Sequence, residues 1–434
     1  MNIILLSEES GKRLWPLSNG VRSKQFLKLL KTQDGGYESM IQRTVKQIKK
    51  QYQDVKITVV TGRAQVSAVI NQLGESVFVC DTPGKKGKFW QIGLAASYLA
   101  DKRKTDPSET VIVCPADLFV EDEFFCVLEK LCQKSGEADE FPILTGVVPT
   151  YPSEKYGYLL PVKENQYIYR DRPDEKTALR YMDEGALWNS GVFGAKLEWF
   201  LKLSHKYWDF YDFEDLYNDF AKLPEISWEK QVLEGKETLQ AVGVLGSWRK
   251  LGTWNTLTES MEDAFIGNVI MDQKCENIHV INELDMPVLC MGLSDVVVSV
   301  GPQGILISDK QNSSYIEPFV DQIDEKVMIA EKSWGSYRVL DVEEESMTIK
   351  VTLNPGHSMN YHSHERRDEV WNIIGGKGRI IVDGMEQPVC AGDVITMQAG
   401  CRHTIIAETE LNVIEVQLGR EINVEDKKKY ELEI

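Results

Sequence analysis

Basic residues are in short supply in this chain. Its 434 residues include 49 Lys and Arg against 67 Asp and Glu, a formal charge of −18. So acidic a surface repels a nucleic-acid backbone, and no local basic patch overrides it, which sets nucleic-acid binding aside. No apolar run reaches the roughly 18 residues that a membrane span requires, so no membrane segment is expected. The eight cysteines, at 80, 114, 126, 132, 275, 290, 390 and 401, form no Cys-x-x-Cys pair. That pattern fits neither a zinc framework nor a disulfide-stapled secreted domain, and reduced, mostly buried thiols are the expectation. Internal repeats and low-complexity segments are lacking too. Met1 to Leu6 is apolar without a basic leader or a small-residue cleavage site, so it reads as a first strand, and a cytosolic location is expected. What remains, 42% apolar and 27% charged, is the composition of a folded globular protein long enough for two or three domains.

From residue 1 to about 150, short apolar runs alternate with amphipathic stretches. Strands are expected near residues 2–6, 55–61, 77–80 and 110–114, and helices near 39–52, 64–73, 90–102 and 121–133. Strand and helix in alternation predict an α/β domain with a mixed, mostly parallel, Rossmann-like sheet. Sheets of this kind bind ligands beyond the carboxyl ends of their strands, which draws attention to Ser7–Arg13 and Pro115–Asp117. Between about 266 and 325 the pattern turns strand-like and suggests a small β module. Beyond it, period-two runs broken by Pro-Gly, Gly-Gly, Asp-Gly and Ala-Gly pairs predict an antiparallel jelly roll. The expected domains are therefore residues 1–265, 266–325 and 326–434.

Histidine is rare, with six in the chain, yet four lie in this last segment. His362-Ser363-His364 puts two imidazoles on one face of a strand, because side chains at i and i+2 point the same way. Glu369 follows closely, and His403 would complete a site of three nitrogens and one carboxylate. Those ligands suit Zn, Fe, Mn, Ni or Co. A solvated pair on a barrel rim would use the same residues without a metal. The spacing from Gly356 through His362, His364 and Glu369 to Gly376, then from Gly392 to His403, resembles the two cupin motifs, which favours the metal.

At the front of the chain, Ser7-Glu8-Glu9-Ser10-Gly11-Lys12-Arg13-Leu14-Trp15-Pro16-Leu17-Ser18 with Ser23-Lys24-Gln25-Phe26-Leu27 behind it resembles the opening signature of the bacterial mannose-1-phosphate guanylyltransferases. The likeness continues through Cys114-Pro115-Ala116-Asp117, Tyr156-Gly157-Tyr158, Trp188-Asn189-Ser190-Gly191 and Gly267-Asn268. Trp334-Gly335-Ser336-Tyr337 and Ile414-Glu415-Val416-Gln417 resemble the phosphomannose isomerase-type cupin that many such enzymes carry behind the transferase. The resemblance implies that a sugar-1-phosphate oxygen attacks the α-phosphate of GTP, giving GDP-mannose and pyrophosphate, a reaction that is mostly a problem of charge. It implies Arg13 and Lys24 as a cationic clamp and Asp117 as a magnesium ligand. Ser7, Gly11, Gly157, Arg172 and Asn189 are implied for binding nucleotide and sugar. GTP, a hexose phosphate and the nucleotide sugar are the implied small-molecule ligands, and self-association or pairing with an active relative is left open. From the residues alone, Asp117 could instead cap the helix expected at 121–133, and Arg13 and Lys24 could be surface charge.

Four places depart from the pattern. Glu8-Glu9 stands where the relatives carry Gly-Gly, bringing two like charges towards a triphosphate. Lys250 stands where they carry a second metal-binding Asp, and a cation cannot ligate magnesium. Thr82 to Phe89 replaces an Arg-Asn-Thr-Ala-Pro stretch, and Asp171-Arg172-Pro173 replaces Glu-Lys-Pro. Transfer that is reduced, altered or absent is one expectation. The other is that Lys250 and Lys85–Lys88 supply the positive charge a metal would bring. An isomerase acting through the cupin, with Glu369 or Glu415 as base, and a non-catalytic sensor of nucleotide sugars are the rival functions. Glu415 would otherwise be structural, paired with Arg379.

Overall fold

The computed structural model describes all residues except 8–11, 139–140, 245, 324–326, 421, 423–425 and 432–434. Glu8, Glu9, Ser10 and Gly11 therefore lie outside the described residues. The chain divides into two units, one of residues 1–10 and 23–262, the other of 11–22 and 263–434.

The first unit is built on a nine-stranded sheet. Its strands are β1 (Asn2–Leu6), β2 (Lys56–Gly62), β3 (Phe78–Thr82), β4 (Thr110–Pro115), β6 (Ile143–Val147), β7 (Tyr158–Lys163), β8 (Gln166–Arg170), β9 (Leu187–Lys196) and β10 (Leu239–Val244). Their order is β3-β2-β1-β4-β9-β6-β10-β8-β7. The first four run parallel, and β9 enters antiparallel to both β4 and β6. The physical cause of this layer is legible in β1, where Ile3 and Leu5 enter one core and Ile4 the other, all fully buried. A strand apolar on both faces must be covered on both, and helices do so. α1 (Met40–Gln51) starts at a capping box in which Ser39 and Gln42 satisfy each other's backbone N–H groups. α2 (Val66–Leu73) and α3 (Gly87–Asp101) follow, and α3 is buried nearly all round, from Phe89 to Ala96.

α4 (Val127–Glu137) begins later than the expected 121, because Asp122–Cys126 forms a 3-10 turn ahead of it; before that turn Leu118–Val120 forms a short strand, β5. β5 pairs with β11 (Trp248–Lys250) as an antiparallel ribbon. Asp117 therefore precedes a strand and caps no helix.

In the second unit, β12 (His279–Asn282), β13 (Val296–Gly301) and β14 (Gly304–Asp309) belong to a four-stranded sheet whose first rungs are parallel. Gly267 turns the chain between rungs at φ +93°, where a Cβ would run into the Asn282 carbonyl, so only glycine fits. Residues 12–22 pack in this unit. Arg22 forms a bidentate pair with Glu283 at 2.7 and 2.8 Å, and Trp15 lies against Gly304.

The last segment closes two antiparallel sheets face to face. One contains β15 (Ile329–Lys332), β16 (Gly335–Val342), β17 (Ser346–Leu353), β19 (Arg367–Gly375), β22 (Val394–Met397) and β24 (Leu411–Gly419). The other contains β18 (His362–His364), β20 (Lys377–Val382), β21 (Met385–Cys390), β23 (His403–Ala407) and β25 (Lys427–Lys429). Trp371, Ile380, Ile405 and Leu411 lie in the core between them. This is the jelly roll that the period-two pattern predicts.

All eight cysteines are free, but the expectation of mostly buried thiols needs correction: only Cys80, Cys114 and Cys290 are buried, and Cys126 and Cys390 are exposed. Among the described residues no helix is long and apolar enough to cross a membrane.

Candidate functional site

In the first unit the candidate site lies beyond the carboxyl ends of β1 and β4, where sheets of this kind bind ligands. The parallel register of the two strands sets Leu6 against Pro115, and the Ala116 N–H donates to the Leu6 carbonyl, so Ser7 and Asp117 leave the sheet side by side. Ser7 is buried, donates its N–H to Val60, and accepts from Gln25 on both its carbonyl and its hydroxyl.

Asp117 is also buried, at 5% exposure, and one of its oxygens carries the centre of the site. Lys24 Nζ lies 2.7 Å from Oδ2, with both side chains almost wholly excluded from solvent. Lys250 Nζ reaches the same oxygen at 3.4 Å and keeps 35% of its side chain exposed. The β5–β11 ribbon explains this placement, because its register sets Lys250 opposite Leu118, next to Asp117.

Aromatic rings wall the region near Trp248. Tyr156 packs edge-on to Trp188 and Trp248 at 5.0 Å each, and Tyr151 packs on Trp188. Burial, with Tyr151 and Asp117 nearby, pushes the Tyr156 phenol well up, so it stays a neutral donor. The indole Nε1 atoms of Trp188 and Trp248 are buried and lack a hydrogen-bond partner among the described residues.

Gly157 and Asn189 come together here. The Asn189 N–H donates to the Gly157 carbonyl at 2.8 Å, while the Asn189 side chain accepts from the Gly191 N–H at 3.2 Å. A Cβ on Gly157 would collide with the Tyr169 ring. Arg172, at φ +27°, pairs with Asp171 and is largely exposed. Arg13 is placed in the second unit, where its Nε pairs with Glu317 at 2.8 Å. Lys88 is engaged by Glu229 and lies over the rings of Phe193 and Trp228.

The second site is the histidine cluster of the jelly roll. β18 and β23 are neighbours with His362 opposite His403, and the imidazole nitrogens of His362, His364 and His403 lie within 4.8 Å of one another, all buried. Each Nδ1 faces a backbone carbonyl: His362 that of Asn360 at 2.6 Å, His364 that of Asp426 at 3.0 Å, and His403 that of Cys401 at 3.1 Å. A carbonyl only accepts, so each Nδ1 is the protonated nitrogen and each Nε2 presents a lone pair. Burial lowers His362 to about 2, with Lys427 adding to it, and His364 to about 4, so both rings are neutral.

Glu369 faces two of these lone pairs, with Oε1 3.2 Å from His364 Nε2 and Oε2 3.2 Å from His403 Nε2. Its pKa is drawn below the ordinary carboxylate range, against the push of burial, with the Arg367 guanidinium donating to it. His403 Nε2 has no hydrogen-bond partner among the described residues. Acceptors converging on one buried point, each fixed from behind, fit a divalent cation. Arg367 is the residue that the sequence patterns did not bring out. It donates from Nε to Glu369 at 3.0 Å and from Nη2 to His364 Nε2 at 3.0 Å, so it and a metal compete for His364.

Glu415 does not pair with Arg379, which instead binds Glu386 and Glu408. It accepts from Gln417 and stands beside Trp371 on the adjacent strand, and full burial next to the Glu369 charge pushes its pKa up to about 8.

The front crevice does not offer magnesium an equivalent seat. Among the described residues, Asp117 Oδ2 is held by two ammonium groups, and Lys250 stands where the resemblance would put a second carboxylate.

Comparison with known proteins adds the context. A family model described as nucleotidyl transferase matches residues 2–265, and one described as mannose-6-phosphate isomerase C-terminal matches residues 321–431. A mannose-1-phosphate guanylyltransferase of Escherichia coli K12 is 25% identical over 98% of this chain and 96% of its own length. The alginate biosynthesis protein AlgA of Pseudomonas putida is 26% identical over 99% and 95%. A Thermus thermophilus crystal structure described as a mannose-1-phosphate geranyltransferase covers 74% of this chain and 98% of its own, at 22% identity and a TM-score of 0.60.

Proposed function

We propose, from the premise that this chain belongs to the nucleotidyl transferase family, that its first unit joins mannose-1-phosphate to GTP to give GDP-mannose and pyrophosphate. The observation that carries this reading is the Lys24–Asp117–Lys250 centre beyond the carboxyl ends of β1 and β4, with Lys24 and Asp117 buried and Lys250 part-exposed. It is supported by full-length likeness to relatives that bear the name mannose-1-phosphate guanylyltransferase.

The chemistry asks little of a base. The attacking oxygen of a sugar-1-phosphate is already anionic. It forms the new bond to the α-phosphorus while the bond from that phosphorus to the bridging oxygen breaks, and pyrophosphate leaves with the electron pair. What the protein must supply is positive charge and alignment. Lys250 is part-exposed and Lys24 buried, and Asp117 holds both ammonium groups. Gly157 and Asn189 would present backbone and amide to the sugar, with Ser7 and Tyr156 nearby in the same crevice. Arg13 and Arg172 are each ion-paired, with Glu317 and Asp171 respectively, and no step is assigned to them.

The jelly roll supports a second activity, sugar-phosphate isomerisation. His362, His364, His403 and Glu369 would hold the divalent metal, which when bound polarises a carbonyl. Glu415, with its pKa near neutral, is suited to move the proton between adjacent carbons. The two activities would share one substrate class, hexose phosphates, in the cytosol.

Purified full-length protein given GTP and mannose-1-phosphate is expected to release pyrophosphate and form GDP-mannose, and Lys24→Ala to lose most of that rate. Absence of both products from wild-type protein would leave the isomerase as the surviving reading.

A further inference from the structure

We infer that the front crevice handles its phosphate ligand without a divalent cation, with Lys250 taking the position and the charge of the metal. The inference rests on the reading of this crevice as a nucleotide-sugar site, and it deepens that reading by assigning the charge carrier.

Occupancy of the carboxylate is what decides between ammonium and metal. Magnesium binds oxygen at about 2.0–2.1 Å, demands near-octahedral ligands and gives up its water reluctantly, so it needs carboxylate oxygens that are free to turn towards it. Asp117 Oδ2 is not free. Lys24 Nζ is 2.7 Å away, in a pair that is nearly solvent-excluded, and Lys250 Nζ is 3.4 Å away. A cation at that oxygen would have to displace both ammonium groups and then sit beside them, like charge against like charge in a poorly screened pocket.

The arrangement is built into the backbone. Register in the β5–β11 ribbon fixes Lys250 against Leu118. The chain then turns so that the Gly252 N–H donates to the Lys250 carbonyl at 2.9 Å, and the Cβ position of Gly252 comes 3.8 Å from Lys24 Nζ. Both lysines are thus gathered on one carboxylate by neighbouring elements of the same unit.

The two lysines have different tasks. Lys24, with 5% of its side chain exposed, is a positioning residue that holds Asp117. Lys250, 35% exposed, is the ammonium a diphosphate can reach. A lysine carries a single charge on a flexible stem, so it can follow the phosphates from bound triphosphate to nucleotide sugar without a change of coordination.

Two measurements on the full chain test this. In the first, the histidine cluster is disabled by His362→Ala with His364→Ala, and Mn²⁺ alone is titrated while the free ion is followed by electron paramagnetic resonance. No tight stoichiometric site is expected, and Lys250→Asp in the same background is expected to create one. A one-equivalent Mn²⁺ site in the protein that retains Lys250 would overturn the inference.

In the second, GDP-mannose is titrated by calorimetry in excess chelator and in excess Mg²⁺. Equal affinities are expected, with Lys250→Met weakening binding by at least about tenfold in both. A loss of about tenfold or more on chelation alone would also overturn it. If GDP-mannose failed to bind in either condition, the nucleotide-sugar reading would fall, and the Mn²⁺ titration would still decide whether Lys250 keeps a metal out.

Discussion

One oxygen of Asp117 holds two ammonium groups, and the stability of the crevice depends on their staying there. Removing one partner of a buried ion pair leaves an uncompensated charge, which commonly costs about 3–5 kcal/mol. Lys24→Ala is therefore predicted to destabilise the first unit by about 3 kcal/mol, the lower end, because Lys250 still faces the carboxylate. Urea unfolding followed by tryptophan fluorescence measures it. A change under about 1 kcal/mol would contradict the pair's placement.

A second prediction at this scale concerns pH. Unfolded imidazoles titrate near 6.5, whereas folded His362 and His364 titrate near 2 and 4. Between pH 6.5 and 4 the unfolded chain thus binds more protons, and stability falls as the solution is acidified through that window. Metal-stripped protein should lose thermal stability from about pH 6.5 downward. A midpoint that held steady down to about pH 5 would argue against neutral, buried rings.

At the scale of elements, β25 closes over the histidine strand. His362, Ser363 and His364 pair with Lys429, Lys428 and Lys427, and Asp426 receives the His364 Nδ1–H on its carbonyl and two backbone N–H groups on its carboxylate. Truncation before Asp426 should weaken zinc binding by roughly 10–100-fold, as loss of an outer-shell partner does. Competition with a chromophoric chelator would show it, and unchanged affinity would mean that β25 does not orient His364.

The strand itself illustrates what sequence could and could not carry. The i, i+2 spacing of His362 and His364 and the doubly apolar β1 are local patterns, and each survives intact in the fold. Pairings across long sequence distances are not local. No local pattern near Lys250 announces that a ribbon will register it beside Asp117, far earlier in the chain; only the resemblance, which sets it at a metal-ligand position, points there. Nor does a Lys-rich tail announce an edge strand, or Arg367 a partner for both His364 and Glu369. The late start of α4 is a matter of helix type: Asp122–Cys126, inside the span expected to be α-helical, winds as a 3-10 turn.

At the scale of the whole molecule, each unit carries its own chemistry. The Lys24–Asp117–Lys250 centre lies in the first unit, and the His362–His364–His403 cluster in the second. His364→Ala is accordingly predicted to abolish bound transition metal while leaving the affinity for GDP-mannose within about twofold of wild type. Metal analysis with calorimetry on the same sample checks both halves of that statement. A parallel collapse of nucleotide-sugar binding would show that the units are coupled.

The most direct test of the central claim is the calorimetric titration of intact protein with GDP-mannose, comparing wild type with Asp117→Asn. A saturable site in the wild type that the variant weakens by about tenfold or more is the result predicted by a lysine centre organised on Asp117. Equal binding by both proteins would contradict it.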